Sequence, residues 1–427
     1  GGGAIREVGA PMTKGFMWIL GSGVLGGGKP IRRRLRGAAR HGCTPVGPPP
    51  PGPAFLSIPA ATCFNGTVVS TPRFTAGLLR TSSRPYARAI VHALHEAHPE
   101  LTSRELPATF ASPVDDVEVR ILQLAASVEV DRPALFAHSL AWYKVAFHHR
   151  DVPRDYLPAT LRATEVALEH ELPAESFRML RGHLAAATRG FDRAPVELPS
   201  HLDRSAPHGE QAMRFLLANL EGRGEDALDL LRGMLRDGVS IAELHDHVLT
   251  PTQREAGRMW LMGEIPVADE HYGSAIVDRA LWLLQEHLPR APADAPRVLT
   301  LGVGGNLHDL GLRVVAQRLQ SAGFAVHHLG ANMPASDMEW AFQDRPFDLI
   351  AISATMALHL SALTGLVESV REAMLRVHGN RAARPVLVGG EPFRIVPDLY
   401  RVVGADAAAA DAVEAVEVAG QLVSNLR

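Results

Sequence analysis

Residues 260–271 read WLMGEIPVADEH and residues 304–311 read GGNLHDLG. An imidazole such as His308 can ligate a transition metal through a ring nitrogen. An indole such as Trp260 offers a flat apolar platform, and a carboxylate such as Glu270 accepts hydrogen bonds from hydroxyl groups. Each residue also has an ordinary structural reading. His308 would donate to a backbone carbonyl at a helix start, Trp260 would be bundle core, and Glu270 with His271 would be surface. Gly304 and Gly305 permit close backbone approach, and Gly311 in the first helical turn leaves room for something bulky. Together they suit a large flat ligand.

The elements that must position these residues follow from the hydrophobic period. Residues 208–288 carry four helical patterns with short connections, which predicts a four-helix bundle ending in the Trp260 and Glu270 helices. The turn from Gly263 to Pro266 brings those two residues together. After PRAPADAP the period changes. Short β-rich runs at 298–304, 324–330, 347–353 and 385–390 alternate with helical segments, so residues 296–427 are expected to form a doubly wound parallel sheet. Ligands of such sheets bind beyond the carboxyl ends of the strands, where the strand order reverses. His308 lies just past the first run.

Upstream, residues 84–191 read as an all-α unit, with Ser112 capping a helix from Pro113 and Asp131 capping the next. A linker at about 192–207 is expected to separate this unit from the bundle. Residues 1–80 are rich in Gly, Pro and Arg and read as a disordered tail; its RRRLR run is expected to be solvated. The chain has a net charge of −3 with 21% charged residues, which argues against a strongly basic nucleic-acid surface. Two cysteines, Cys43 and Cys63, build no disulfide framework, and a reducing cytoplasm is the expected setting. Neither a signal peptide nor a membrane anchor is expected.

Three stretches in order resemble the cobalamin-binding Rossmann-like domain of methionine synthase, corrinoid mutases and cobalamin photoreceptors. They are Asn306-Leu307-His308-Asp309-Leu310-Gly311, then Ser353-Ala354-Thr355, then Gly389-Gly390. The resemblance implies that His308 is the lower axial ligand of cobalt, replacing the cofactor's own dimethylbenzimidazole. Ser353, with Thr355 beside it, would touch that buried base, and Gly389 and Gly390 would let the nucleotide tail pass. Position 306 holds Asn where the family usually has Asp. Asn306 would either orient the imidazole without charge or stabilise the turn. Asp309 is expected to support the following helix N-terminus.

The block WLMGEIPVADEH in turn resembles the Trp-x9-Glu-His signature of adenosylcobalamin photoreceptors. By that resemblance Trp260 stacks on the adenosyl group, Glu270 accepts from ribose hydroxyls and His271 lines the upper face. The family's second cobalt-capturing histidine is replaced by Leu261, leaving His271, His245, His247 or water as upper ligand after the light reaction.

Residues 84–191 show no winged DNA-binding pattern. Their Phe136, His138, Trp142, Tyr143, Phe147, His148 and His149 resemble a globin-like unit, and the domain order is similar to that of the photocobilins, which bind biliverdin beside adenosylcobalamin. The resemblance implies a non-enzymatic light sensor. Light would break the Co–C bond and shift the bundle, changing homo-oligomeric assembly or the binding of a separate effector, with no DNA or membrane partner. The alternative is a corrinoid carrier holding methylcobalamin for methyltransferases. A mutase subunit would need a substrate barrel that the chain does not contain.

Overall fold

The computed structural model describes residues 63–64, 67–68, 71–102, 112–343, 346–378 and 384–426. A two-residue antiparallel hairpin, β1 (Cys63–Phe64) and β2 (Thr67–Val68), precedes helix α1 (Pro72–Thr81). Both fall inside the stretch 1–80 expected to lack structure, and they move that boundary. Thr71 Oγ1 accepts from the Phe74 N–H at 3.1 Å and Pro72 opens the first turn, so capping chemistry starts a helix before any long period is visible. The RRRLR run and Cys43 lie outside the described residues.

The helical unit continues through α2 (Ser83–Ala97), α3 (Pro99–Thr102), α4 (Pro113–Glu129), α5 (Pro133–His148), α6 (Tyr156–Glu171) and α7 (Ala174–Arg193). Ser112 caps α4 as expected, its hydroxyl accepting from the Asp115 N–H. Asp131 does not cap α5. Its φ of 51° places it in a left-handed turn outside the helix, and Arg132 takes the cap position without a side-chain bond.

The bundle comprises α8 (Gly209–Leu220), α9 (Gly224–Arg236), a broken third helix and α12 (Val267–Gln285). The third helix begins with a Ser240–Glu243 capping box at α10 (Ile241–Leu244), passes through a π-helical turn at His245–Leu249 and ends as α11 (Thr250–Leu261). Phe215, Leu231, Leu244, Val248, Leu281 and Leu284 fill its core.

The last unit is a five-stranded sheet of β3 (Arg297–Val303), β4 (Ala325–Met333), β5 (Leu349–Ser353), β6 (Val386–Gly389) and β7 (Ala407–Ala409). The strands are all parallel in the order β4-β3-β5-β6-β7. Its helices are α13 (Leu310–Ser321), α14 (Met338–Phe342), α15 (Leu360–His378), α16 (Glu391–Ile395), α17 (Leu399–Val402) and α18 (Ala412–Ser424). Alternate strand residues enter opposite cores, Leu299, Leu301 and Ile352 on one face, Val298, Leu349 and Leu387 on the other. The chain runs from β3 outward to β4, then crosses back to β5 on the other side of β3. The strand order therefore reverses between β3 and β5; the loop after β3 carries His308, and Ser353 ends β5.

The first helical unit is not separate from the rest. Its core, including Tyr143 and Phe147, is continuous with Trp260, Leu261 and Ile265 of the bundle. Val130 and Leu135 enter the core of the sheet unit instead. Arg132 pairs with Asp398 at 3.0 Å, and Ser361 donates to Glu129 at 3.3 Å. Among the described residues no helix is long and apolar enough to cross a membrane.

Candidate functional site

The loop after β3 is held by its backbone and by two asparagines. The Asn306 N–H donates to the Val303 carbonyl at 3.0 Å, and the Asn306 carbonyl accepts from the Asn332 N–H at 3.1 Å. Asn332 Oδ1 accepts from the Gly305 N–H at 2.7 Å, with Gly305 at φ +83°. Asn306 is fully buried, and its amide donates to the His308 carbonyl at 3.3 Å. It does not orient the imidazole: Asn306 Oδ1 and His308 Nδ1 are both buried without a hydrogen-bond partner. The turn reading of Asn306 is the one this geometry favours.

Burial pulls the His308 pKa below its ordinary value, against the opposing pull of Glu270 and Asp309. The neutral imidazole that results at neutral pH is the form that ligates metals. Asp309 does not cap α13. Its carboxylate pairs with Arg313 one turn on, at 3.2 Å, and Arg313 also holds Asp278 of the bundle. The i,i+4 geometry brings Arg313 over the carboxylate and competes with the backbone N–H groups.

From the bundle side, Glu270 is close enough to His308 to affect its proton affinity. Glu270 Oε1 accepts from Ser274 at 2.8 Å and Gln253 at 3.3 Å, while Oε2 sits 2.6 Å from His271 Nδ1. A ribose diol would therefore displace partners that Glu270 already holds. His271 turns toward its neighbour. Trp260 is 3% exposed, with Trp142 at 5.8 Å between ring centroids and the Arg150 guanidinium 5.0 Å from its own centroid. Arg150 also donates to the Leu261 carbonyl at 2.6 Å and to the Trp260 carbonyl. Leu261 is buried in the same cluster, so the position occupied by histidine in the photoreceptors here serves docking of the first helical unit. Sequence reading missed Arg150, whose meaning lies wholly in this contact 110 residues away.

On the sheet side, Ser353 pairs in register with Gly302 and Gly389, and the Ala354 N–H donates to the Gly389 carbonyl at 3.0 Å. Thr355 and Met356 continue that loop, and Met356 packs against the cluster that holds Trp260. Gly390 has φ +118°, and a Cβ there would lie 2.1 Å from the Ala354 carbonyl oxygen. Gly311 is exposed, and a Cβ there would meet nothing within 4 Å. His359, which the sequence reading did not single out, is 3% exposed with both ring nitrogens unpartnered. Buried polar atoms without partners are uncommon. Those of Asn306, His308 and His359 fit a large polar metal-bearing group.

The other histidines named from sequence are engaged elsewhere. His247 lies 6.2 Å from His208 between ring centroids. His245 is fully buried in the π-helical turn, with Nε2 2.9 Å from Gln317 Oε1 of α13. Burial pushes its pKa down from 6.5 to about 4. The folded chain thus binds fewer protons there than the unfolded chain. The stability due to neutral His245 is complete above pH 6.5 and declines as pH falls toward 4, by at most about 3 kcal/mol. Melting temperatures recorded from pH 8 to 4.5 should fall less steeply at the acid end for His245→Gln than for the wild type; identical slopes would refute the assignment.

A family model described as a B12 binding domain matches residues 296–419, and a second model of the same description matches residues 212–285. Dimethylamine corrinoid protein 3 of Methanosarcina acetivorans is 29% identical over 182 residues, 42% of this chain and 82% of that protein. Dimethylamine corrinoid protein 3 of Methanosarcina mazei is 33% identical over 122 residues, 29% of this chain and 69% of its own length. The HTH-type transcriptional repressor CarA of Myxococcus xanthus is 34% identical over 146 residues, 34% of this chain and 46% of that protein. Both the bundle and the sheet unit are thus matched, and the chain belongs to the cobalamin-binding protein family.

Proposed function

We propose that the chain is a corrinoid protein that carries an alkyl group on cobalt for a partner methyltransferase. The observation that carries this reading is the pairing of a half-buried His308, whose Nδ1 is buried without a partner, at the reversal of strand order with a bundle and sheet whose relatives are named dimethylamine corrinoid proteins. His308 would hold cobalt from below, Ser353, Thr355, Gly389 and Gly390 would line the path of the nucleotide tail, and Gly311 would leave space for it. The bound group supplies a reactive cobalt–carbon bond. The chain's own part would be to orient the group through His308 and to exclude water with Glu270 and the turn that carries Trp260.

One observation favours a second reading, the adenosylcobalamin light sensor. Arg150 and Trp142 hold the Trp260 turn against the first helical unit, and a carrier must open that cap to each enzyme it serves. A sensor instead benefits from a contact that couples the upper face to a further unit. In this reading Trp260 and Glu270 meet the adenosyl group, homo-oligomeric assembly or a separate effector is the output, and no reaction is catalysed. Biliverdin in residues 84–191 belongs to this reading alone.

The test loads the protein in the dark with methylcobalamin or adenosylcobalamin. Wild type should show the histidine-ligated absorbance with either, and His308→Ala should lose it; a persisting band would remove His308 as lower ligand. Transfer of the methyl group by a corrinoid methyltransferase, with particle size unchanged by green light, supports the carrier. A light-driven size change of the adenosyl form supports the sensor, and a red-absorbing band after addition of biliverdin supports the bilin.

A further inference from the structure

His359 ends the short 3-10 turn Ala357–His359 that follows the loop after β5. Its imidazole lies beneath the loop after β3, where a Cβ on Gly305 would sit 3.9 Å from His359 Cδ2. It is also near enough to His308 for the two rings to interact electrostatically. The ring is 3% exposed, and neither Nδ1 nor Nε2 has a hydrogen-bond partner. A neutral imidazole has one donor and one acceptor, and leaving both unmet in the interior costs more than an apolar side chain of similar size would. In this respect it differs from the other fully or nearly buried histidines, His245 and His183, each of which has one ring nitrogen engaged.

We infer that His359 is a binding residue for the nucleotide arm of the cobalamin, hydrogen-bonding its ribose or phosphate. The inference rests on the cobalamin reading and assigns to it a residue outside the three stretches that carried the resemblance. The position selects the ligand group. β3 and β5 are neighbours at the reversal of strand order, and the loops that follow them are the two walls of the crevice in which such sheets take their ligands. Gly305 on one wall and His359 on the other meet in that crevice. The corrin amides stay at the rim of the ring, whereas the nucleotide arm brings a phosphodiester and a ribose hydroxyl past this point. A phosphate oxygen takes the imidazole donor, and a hydroxyl can meet either nitrogen.

The experiment compares aquacobalamin with diaquacobinamide, which has the corrin ring but lacks the nucleotide, in absorbance titrations of full-length wild type and His359→Leu. The apo melting temperature of His359→Leu should equal or exceed that of wild type, because an unpaired polar ring is replaced by an apolar side chain. Its affinity for aquacobalamin should fall about tenfold, as expected for the loss of one hydrogen bond of this kind. Its affinity for diaquacobinamide should not change. Equal weakening for both ligands would place His359 against the corrin ring and overturn the inference, as would unchanged affinity for aquacobalamin. If His359→Leu fails to fold, His359→Gln, which keeps one donor and one acceptor, takes its place; it should retain most of the preference for aquacobalamin over diaquacobinamide, and loss of that preference would overturn the inference. Failure of wild type to bind either ligand would instead remove the cobalamin reading itself.

Discussion

Gly390→Ala should destabilise the sheet unit by about 3 kcal/mol or more and abolish cobalamin binding. The φ of +118° lies where only glycine is at ease, and the added Cβ would fall 2.1 Å from the Ala354 carbonyl oxygen and 2.8 Å from its carbon. Those are backbone atoms, which cannot rotate away as a side chain would. Relief requires the loop after β5 to move off the end of β6, and that loop is anchored by the Ala354 N–H donating to the Gly389 carbonyl. Thr355 rides on the same loop and Ser353 ends β5 just before it, so strain at one glycine reaches the wall of the proposed nucleotide path that follows β5. Gly389→Ala is the control. Its Cβ would lie 3.2 Å from the Ala409 carbonyl oxygen, a contact that a shift of a few tenths of an ångström relieves. Thermal melting of the two variants should separate widely; equal melting temperatures would show that the φ of Gly390 carries no such constraint.

How much of this could be read in advance follows the range of each interaction. The four strands expected at 298–304, 324–330, 347–353 and 385–390 appear as β3 to β6 because each is a short apolar run bounded by turn residues, and that pattern is local. β7 was not legible. Its three alanines carry no strand preference of their own and become a strand by pairing with β6. The π-helical turn at His245–Leu249 was equally silent, since the sequence there keeps a helical period while the backbone gains a residue.

The site divides in the same way. His308, Ser353, Gly389 and Gly390 sit where strand ends and turn chemistry place them, and the periodic pattern located those ends. What the sequence could not reveal is what faces them. Leu261 read as a missing cobalt ligand until its burial against the first helical unit supplied another role. Asn306 read as a candidate partner of His308, yet the loop turns its amide toward a carbonyl. Arg150 and His359 acquire meaning only from contacts with residues far along the chain, and no spacing rule announces such contacts.

Asp116→Ala should cost about 3–5 kcal/mol, the range for removing one partner of a buried ion pair. Asp116 and Arg120 are 1% and 4% exposed and meet at 2.5 Å across one turn of α4. Burial acts against the charge on each, and their mutual attraction offsets it. Removing the carboxylate leaves the guanidinium buried beside Tyr143, over whose ring it lies at 5.2 Å, with no opposite charge at hand. The Tyr156 phenol cannot supply one, since burial pushes its pKa up to about 12. Asp116→Leu combined with Arg120→Met should recover most of the loss, because two apolar side chains leave no uncompensated charge. The effect should also reach the cofactor. Tyr143 packs on Trp142, at 5.3 Å between centroids, and Trp142 packs on Trp260, so loosening α4 and α5 releases one side of the turn proposed to cap the cofactor. Faster amide exchange across residues 259–263 in Asp116→Ala, reversed in the double variant, is the expected signature. A melting temperature within experimental error of wild type would show that the pair is not the anchor of the first helical unit.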